Sequence, residues 1–321
     1  MREQEPPYSI QIELTEGCNL RCPFCGLQGI REEGPNKNFK FMTQDTIQSI
    51  ATQIHEAGWN ARIEFAMHGE PTMHPEYHSM IGTFHNHAPK NQIMMTSNGG
   101  GLLRERRSSI NIAMLFANGL SILALDEYDG INIVSKIRDK RDELIEMGFE
   151  VREYPADPEG NPHRRIGKRK LISLMVDPSI STAGTHSKLT NHAGAAFPKN
   201  EKQAGKRCHR PFREMSIRWD GNVAVCCNDW RGEFKCGNVV TDGLISTWNG
   251  EFFDAARRKL YLGQRDFGPC SGCDAVSYRV GLLPDKLGRE TMEPVTAETN
   301  EIIDRALAGP SYTPAVKRPW E

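Results

Sequence analysis

Between residues 8 and 177 the sequence alternates strand-like runs with helix-like periods, and that alternation limits the fold more than any other feature. Residues 8–14 alternate with period two, and residues 43–58 then set Ile47, Ile50, Ala51, Ile54 and Ala57 on one helical face, with Thr43 as N-cap and Gly58 as stop. Further strands are expected at 62–67, 92–96, 120–125, 149–153 and 171–176, with helices at 75–88, within 104–118 and at 131–147. Strands separated by helices imply parallel β/α units, and six strands fit either a partial (β/α)6 barrel or an open doubly wound sheet. A second unit begins near Cys208, where residues 215–219 and 222–226 flank Asp220-Gly221, a hairpin signal, and 251–260 read as a short helix. The Ser/Thr/Asn/Gly/Ala-rich stretch 178–207 reads as a linker or active-site loop, and the proline-bearing tail 277–321 as irregular.

The 40 basic residues nearly cancel the 41 acidic ones, so no global field would gather a polyanion, which argues against nucleic acid as a partner. The basic run His163–Lys170 reads chiefly as a solvated loop, and His68, His74, His78, His85 and His87 as surface or capping residues. The start is charged and prolyl where a signal peptide needs an apolar stretch, and no run approaches a membrane span, so a cytoplasmic protein with no membrane association is expected. Nine cysteines in such a compartment stay reduced, and their spacing points to metal ligation or redox chemistry. Cys18, Cys22 and Cys25 form C-x3-C-x2-C after the first strand, a spacing chance would give roughly 0.007 times per chain. Three thiolates in one loop can hold three irons of a [4Fe–4S] cluster and leave the fourth open. The plainer alternative is a structural zinc site completed by His68 or His74.

With Phe24 between Cys22 and Cys25, the loop resembles the C-x3-C-x-aromatic-C signature of the radical S-adenosylmethionine (radical SAM) superfamily. The resemblance covers about residues 8–177. His68-Gly69-Glu70-Pro71 is similar to the family's Gly-Gly-Glu motif, whose backbone and carboxylate hold the methionine amino group, with His68 in place of the first glycine. Thr96-Ser97-Asn98-Gly99 is similar to the ribose-contacting segment, and Asp126 follows the fourth strand. Motifs at the C-terminal ends of successive strands are what a barrel with its site on that face requires.

Cys208, Cys226, Cys270 and Cys273, with Gly237-Asn238-Val239 between, resemble the SPASM/twitch extension of radical SAM enzymes in its shorter, one-cluster form. The same four residues could instead form a zinc ribbon. Spacing to Gly221 favours Cys226 over Cys227 as the ligand, and Cys227 and Cys236 are left for packing or hydrogen-atom donation. The resemblance therefore implies a partial (β/α)6 TIM-like barrel (8–177), the linker or loop (178–207), a small α+β twitch domain of hairpin plus helix (208–276) and the tail (277–321). It also implies S-adenosylmethionine, a [4Fe–4S] cluster that binds it and one auxiliary [4Fe–4S] cluster, with a one-electron reductant such as flavodoxin or ferredoxin.

The implied chemistry is reductive cleavage to a 5′-deoxyadenosyl radical, hydrogen abstraction and oxidation of a small polar alcohol or amine, for example an aminocyclitol or sugar, through the auxiliary cluster. A peptide is the second choice of substrate. Epimerisation, peptide or nucleotide modification, and a non-catalytic metal-binding module are the alternatives. Candidate bases near strand ends and the auxiliary site are Glu127, Tyr128, Arg152, Glu153 and Asp229.

Overall fold

The strand-like runs become one nine-stranded sheet in the computed structural model, which describes residues 4–22, 24–29, 39–103, 108–127, 132–176, 190–196, 205–275 and 294–308. The first strand, β1 (Ser9–Ile12), leads into a two-stranded ribbon of β2 (Thr15–Glu16) and β3 (Lys40–Phe41). Helix α1 (Gln44–Glu56) follows; the Thr43 side chain accepts from the Thr46 N–H at 3.2 Å, the expected cap, and Gly58 takes φ +67° after the last turn. The alternation continues through β4 (Arg62–Phe65), α2 (Tyr77–His87), β5 (Ile93–Ser97), α3 (Ser108–Ala117) and β6 (Ile122–Asp126). The helix expected at 131–147 divides into α4 (Ile133–Arg138) and α5 (Arg141–Glu146), with no glycine or proline to mark the break. Strands β7 (Glu150–Tyr154) and β8 (Leu171–Met175) complete the barrel portion.

All six barrel strands are parallel, but their order is β1-β4-β5-β6-β8-β7, with the last two exchanged relative to the chain. Composition explains the exchange. The apolar run LISLM of β8 is buried along most of its length and takes the inner position, whereas EVREY of β7 is half-exposed and takes the edge. The connection between them packs against the sheet: Gln92 accepts from the Ile166 N–H at 2.9 Å and donates to the Arg164 carbonyl at 3.1 Å, and Ser173 donates to the Gly160 carbonyl at 2.6 Å. The basic run 163–170 lies in this connection, with Arg164 paired to Glu159 at 2.7 Å and Arg169 to Glu150 at 2.5 Å. One face of the sheet carries the main core, where Ile10, Ile63, Met95 and Leu123 meet Ile50, Phe84 and Leu115 of the helices. The other face keeps a smaller apolar cluster of Met94, Ile122, Ala124 and Leu171 capped by Ile166.

The C-terminal unit extends the same sheet. Strand β9 (Glu214–Ile217) lies parallel to β1, pairing Ser9 with Glu214 and Ile12 with Ile217. The expected hairpin is present, with β10 (Asn222–Ala224) antiparallel to β9 across the turn where Gly221 takes φ +83°, and β11 (Lys235–Asn238) follows at the edge. Helices α6 (Leu244–Trp248) and α7 (Glu251–Tyr261) cover it. The tail expected to be irregular contains helix α8 (Ala297–Leu307), started by a capping box between Thr296 and Thr299, with Ile303 and Ala306 buried.

Candidate active site

The cysteine loop leaves the C-terminal end of β2 at Gly17, whose backbone bridges Gly69 in the loop after β4. Glu70 N–H donates to the Gly17 carbonyl at 2.9 Å, and a Cβ on Gly69 would stand 2.0 Å from the Thr15 carbonyl oxygen, so only glycine fits this approach. Cys18, Cys22, Phe24 and Cys25 line a cavity of about 340 Å³. Its other walls come from His68, Gly69 and Glu70 after β4, Ser97 and Asn98 at the end of β5, and Asp126 at the end of β6. Four successive strand ends thus meet at one site. Pro71 does not face the cavity; it opens the turn Pro71–Met73 that Glu70 caps.

Buried Glu70 is almost fully occupied. Its Oε1 accepts from the Thr72 N–H (3.0 Å), the Thr72 hydroxyl (2.5 Å) and the Ser97 hydroxyl (2.6 Å), and Oε2 accepts from the Asn98 N–H (2.8 Å). Burial raises its pKa and these hydrogen bonds oppose the rise. Roughly one acceptor position remains, on Oε2, for an ammonium group in the cavity. Asn98 Nδ2 also donates to Cys18 Sγ at 3.4 Å, as does the Leu20 N–H at 3.3 Å. Three thiols, a backbone held open by glycine, and one free acceptor position on a buried carboxylate fit a cluster with S-adenosylmethionine beside it.

The His68 side chain does something the motif comparison does not anticipate. Its Nε2 donates to the Cys227 carbonyl at 2.9 Å, while Nδ1 faces Glu13 Oε1 at 2.9 Å. Glu13 also meets Arg218 at 3.9 Å, and Arg218 in turn binds Glu16 and the Trp230 carbonyl. His68, Glu13 and Arg218 are wholly buried. Burial alone would raise the Glu13 carboxyl, but Arg218 and His68 outweigh it and hold it at about 2. This clasp joins the motif after β4 to the loop after β10. The Trp230 ring adds a second joint, lying 4.5 Å from the His68 ring and against Gly26, where a Cβ would come within 2.4 Å of it.

The other four cysteines surround a much smaller pocket of about 20 Å³, which Cys208, Cys226, Cys270 and Cys273 line with Arg210 and Arg265. Burial pushes the Cys208, Cys226 and Cys270 thiols up; their thiolates need a cationic partner to exist there. Asn228 reaches Cys273 Sγ only at 3.9 Å, and the Ala275 N–H donates to it at 3.4 Å. The neighbouring Cys227 does not line this pocket: Arg210 donates to its sulfur at 3.0 Å, and burial raises its thiol to about 11. Cys236 is packed in the main core. Among the described residues no three His, Cys, Asp or Glu side chains converge on a single-ion site, and each set of thiols instead rings a space, the arrangement a multi-iron cluster takes with one thiolate per iron.

The candidate bases are placed elsewhere. Glu127 accepts from the Val134 N–H at the start of α4 (3.2 Å), Arg152 pairs with Asp157 (2.9 Å), and Glu153 binds Arg138 through both oxygens (2.8 and 2.7 Å). Asp229 is buried, accepts from the Glu233 and Phe234 N–H groups, and burial raises it to about 6. None of these four lines the cavity, and Tyr128 lies outside the described residues. The cavity instead gains His192 and Trp230, which no spacing in the sequence singled out. His74 is likewise buried and structural, bonded to the Met42 carbonyl at 2.8 Å.

The model of the radical SAM superfamily matches residues 12–144, and that of the SPASM iron–sulfur cluster-binding domain matches residues 208–274. The chain belongs to the radical SAM superfamily and carries a SPASM domain on its C-terminal side. Its cofactors are those of that class: S-adenosylmethionine, a [4Fe–4S] cluster and an auxiliary iron–sulfur cluster. The crystal structure of BtrN in complex with AdoMet and 2-DOIA superposes with a TM-score of 0.63 at 20% identity, covering 85% of this chain and 95% of that one, a likeness of fold. Curated relatives include the probable GTP 3′,8-cyclase of Sulfolobus acidocaldarius, 28% identical over 44% of each chain. The GTP 3′,8-cyclase of Tolumonas auensis is 32% identical over 36% of this chain and 33% of its own length. The chain therefore spans less than half the length of these curated relatives. No described helix is long and apolar enough to cross a membrane.

Proposed function

We propose that the protein is a radical SAM oxidoreductase that oxidises an alcohol or amine on a small polar molecule such as an aminocyclitol or sugar. In this reading Cys18, Cys22 and Cys25 hold the cluster that binds S-adenosylmethionine, with Phe24, Gly69, Glu70, Ser97, Asn98 and Asp126 around the cofactor. Cys208, Cys226, Cys270 and Cys273 hold the auxiliary cluster, and a flavodoxin or ferredoxin supplies electrons. Bound in this way, the cofactors supply a 5′-deoxyadenosyl radical and a one-electron acceptor.

The observation that carries the reading is the contrast in enclosure: four thiols close around about 20 Å³ while three open on about 340 Å³. A site whose four positions are all taken by protein can exchange electrons but has no place for substrate, so the substrate belongs in the larger cavity. The described residues that line that cavity include no lysine or arginine, which suits an amine or a neutral polyol better than a phosphate. A nucleotide-modifying reaction is the second reading, and the GTP 3′,8-cyclase relatives favour it.

The test is anaerobic reconstitution of the parent and of a Cys18/Cys22/Cys25→Ala variant, each given dithionite, S-adenosylmethionine and either scyllo-inosamine, an aminocyclitol, or GTP. About eight irons are expected in the parent and about four in the variant, with 5′-deoxyadenosine formed by the parent alone. An aminocyclitol product two hydrogens lighter supports the oxidoreductase, and a product from GTP instead supports the second reading.

A further inference from the structure

We propose that His192 is a substrate anchor, its imidazole exchanging a hydrogen bond with a hydroxyl or amino group of the molecule held in the cavity. The inference rests on the small-polar-substrate reading above and adds a contact to it. His192 comes from the segment between the two matched domains, so neither family model assigns it a role.

Three independent features single it out. The first is an unmet hydrogen-bonding capacity: the ring lines the cavity, and no described residue hydrogen-bonds its side chain. Buried polar groups in folded proteins are nearly always paired, so an orphan on a cavity wall marks a place where a ligand supplies the partner. The second is backbone strain. His192 (φ +48°) and Ala193 (φ +54°) are consecutive non-glycine residues in the left-handed region, a conformation that persists only where surrounding contacts impose it. Asn191 provides those contacts: its side chain donates to the Gly272 carbonyl (2.8 Å), and its N–H donates to Asp274 Oδ1 (2.8 Å).

The third feature is position. Asn191 is fastened to the turn that carries Cys270 and Cys273, while the His192 ring lies on the cavity shared with Cys18, Cys22 and Cys25, edge-on to Trp230 at 5.0 Å. A molecule touching His192 therefore lies against the segment that ties the open cavity to the turn of Cys270 and Cys273. Burial, reinforced by the positive charges of His68 and Arg210, lowers His192 to about 4. The neutral ring both donates and accepts, which matches a hydroxyl group.

Binding of scyllo-inosamine to the reconstituted full chain, measured by equilibrium dialysis with S-adenosylmethionine present, tests this. His192→Phe keeps a ring against Trp230 but removes both nitrogens, and His192→Gln keeps a donor and an acceptor. Binding at least about tenfold weaker in His192→Phe, substantially restored in His192→Gln, with S-adenosylmethionine affinity within about twofold throughout, is the expected result. A His192→Phe protein that binds scyllo-inosamine as the parent does overturns the anchor and leaves the substrate reading standing. Equal loss of S-adenosylmethionine binding overturns it in favour of a cofactor contact. A parent that does not bind scyllo-inosamine overturns the substrate reading, and the anchor with it.

Discussion

The two cysteine sites use the same ligand atom and differ in how much of it the protein supplies. The N-terminal loop offers three thiols at the edge of a cavity that four strand ends and two aromatic rings share, and the C-terminal set offers four thiols around a space about one-seventeenth as large. In the function proposed above, that difference places reactivity at the site where the protein leaves one ligand position open. Where the chain withholds a fourth thiolate it also builds a glycine-lined approach at Gly69 and a carboxylate with one acceptor position to spare at Glu70. Where it supplies all four, it surrounds them with arginines and closes the pocket.

The sharpest way to break this contrast is to open the closed site. Cys226→Ala should remove about four irons and the auxiliary-cluster signal in electron paramagnetic resonance, while Cys227→Ala should retain both, because Cys227 is directed at Arg210 and not into the pocket. The reverse outcome would exchange their roles. A smaller effect is expected from unfastening the two sites. His68→Ala or Glu13→Ala leaves a buried group of the clasp without its partner, and chemical denaturation should show a loss of about 3–5 kcal/mol. A loss below about 1 kcal/mol would mean the clasp does not hold the sites together.

The smallest expected effect is confined to the closed side and appears in its pH dependence. The Asp229 carboxyl is raised from 3.8 to about 6, so its protonated form is the one the fold favours. Its contribution is fully present below about pH 4 and is lost as pH rises through 6, amounting to at most about 3 kcal/mol. Asp229→Asn should flatten the stability profile between pH 4 and 7, which urea denaturation across that range would measure. An unchanged slope would show that Asp229 does not cause it.

Much of the fold and the thiol arrangement was legible because both are written locally. The spacing of Cys18, Cys22 and Cys25 and the motif at Gly69-Glu70 sit directly after strands, so finding the strands places the motifs. No local motif encodes strand order, although the polar edge strand EVREY and the apolar inner strand LISLM differ as their positions require. Helix α8 has local signals too, since Thr296 and Thr299 form its capping box and Pro294 and Pro310 flank it, although prolines at that density read as an irregular tail. The roles of His68 and His192 were not legible. Each depends on partners more than 70 residues away, Cys227 for the first and the Asn191–Gly272 contact for the second, and no local pattern encodes such a meeting.

The pairing of β9 with β1 has a consequence for how the molecule is made. One flank of β1 is satisfied by β4, about 50 residues later, but the other waits for β9, roughly 200 residues further along the chain. At ordinary synthesis rates that interval lasts about 10 to 40 s, during which the nascent barrel presents an open strand edge beside its cysteine loop. The loop therefore gains its Trp230 wall, packed against Gly26, only after β9 has been made.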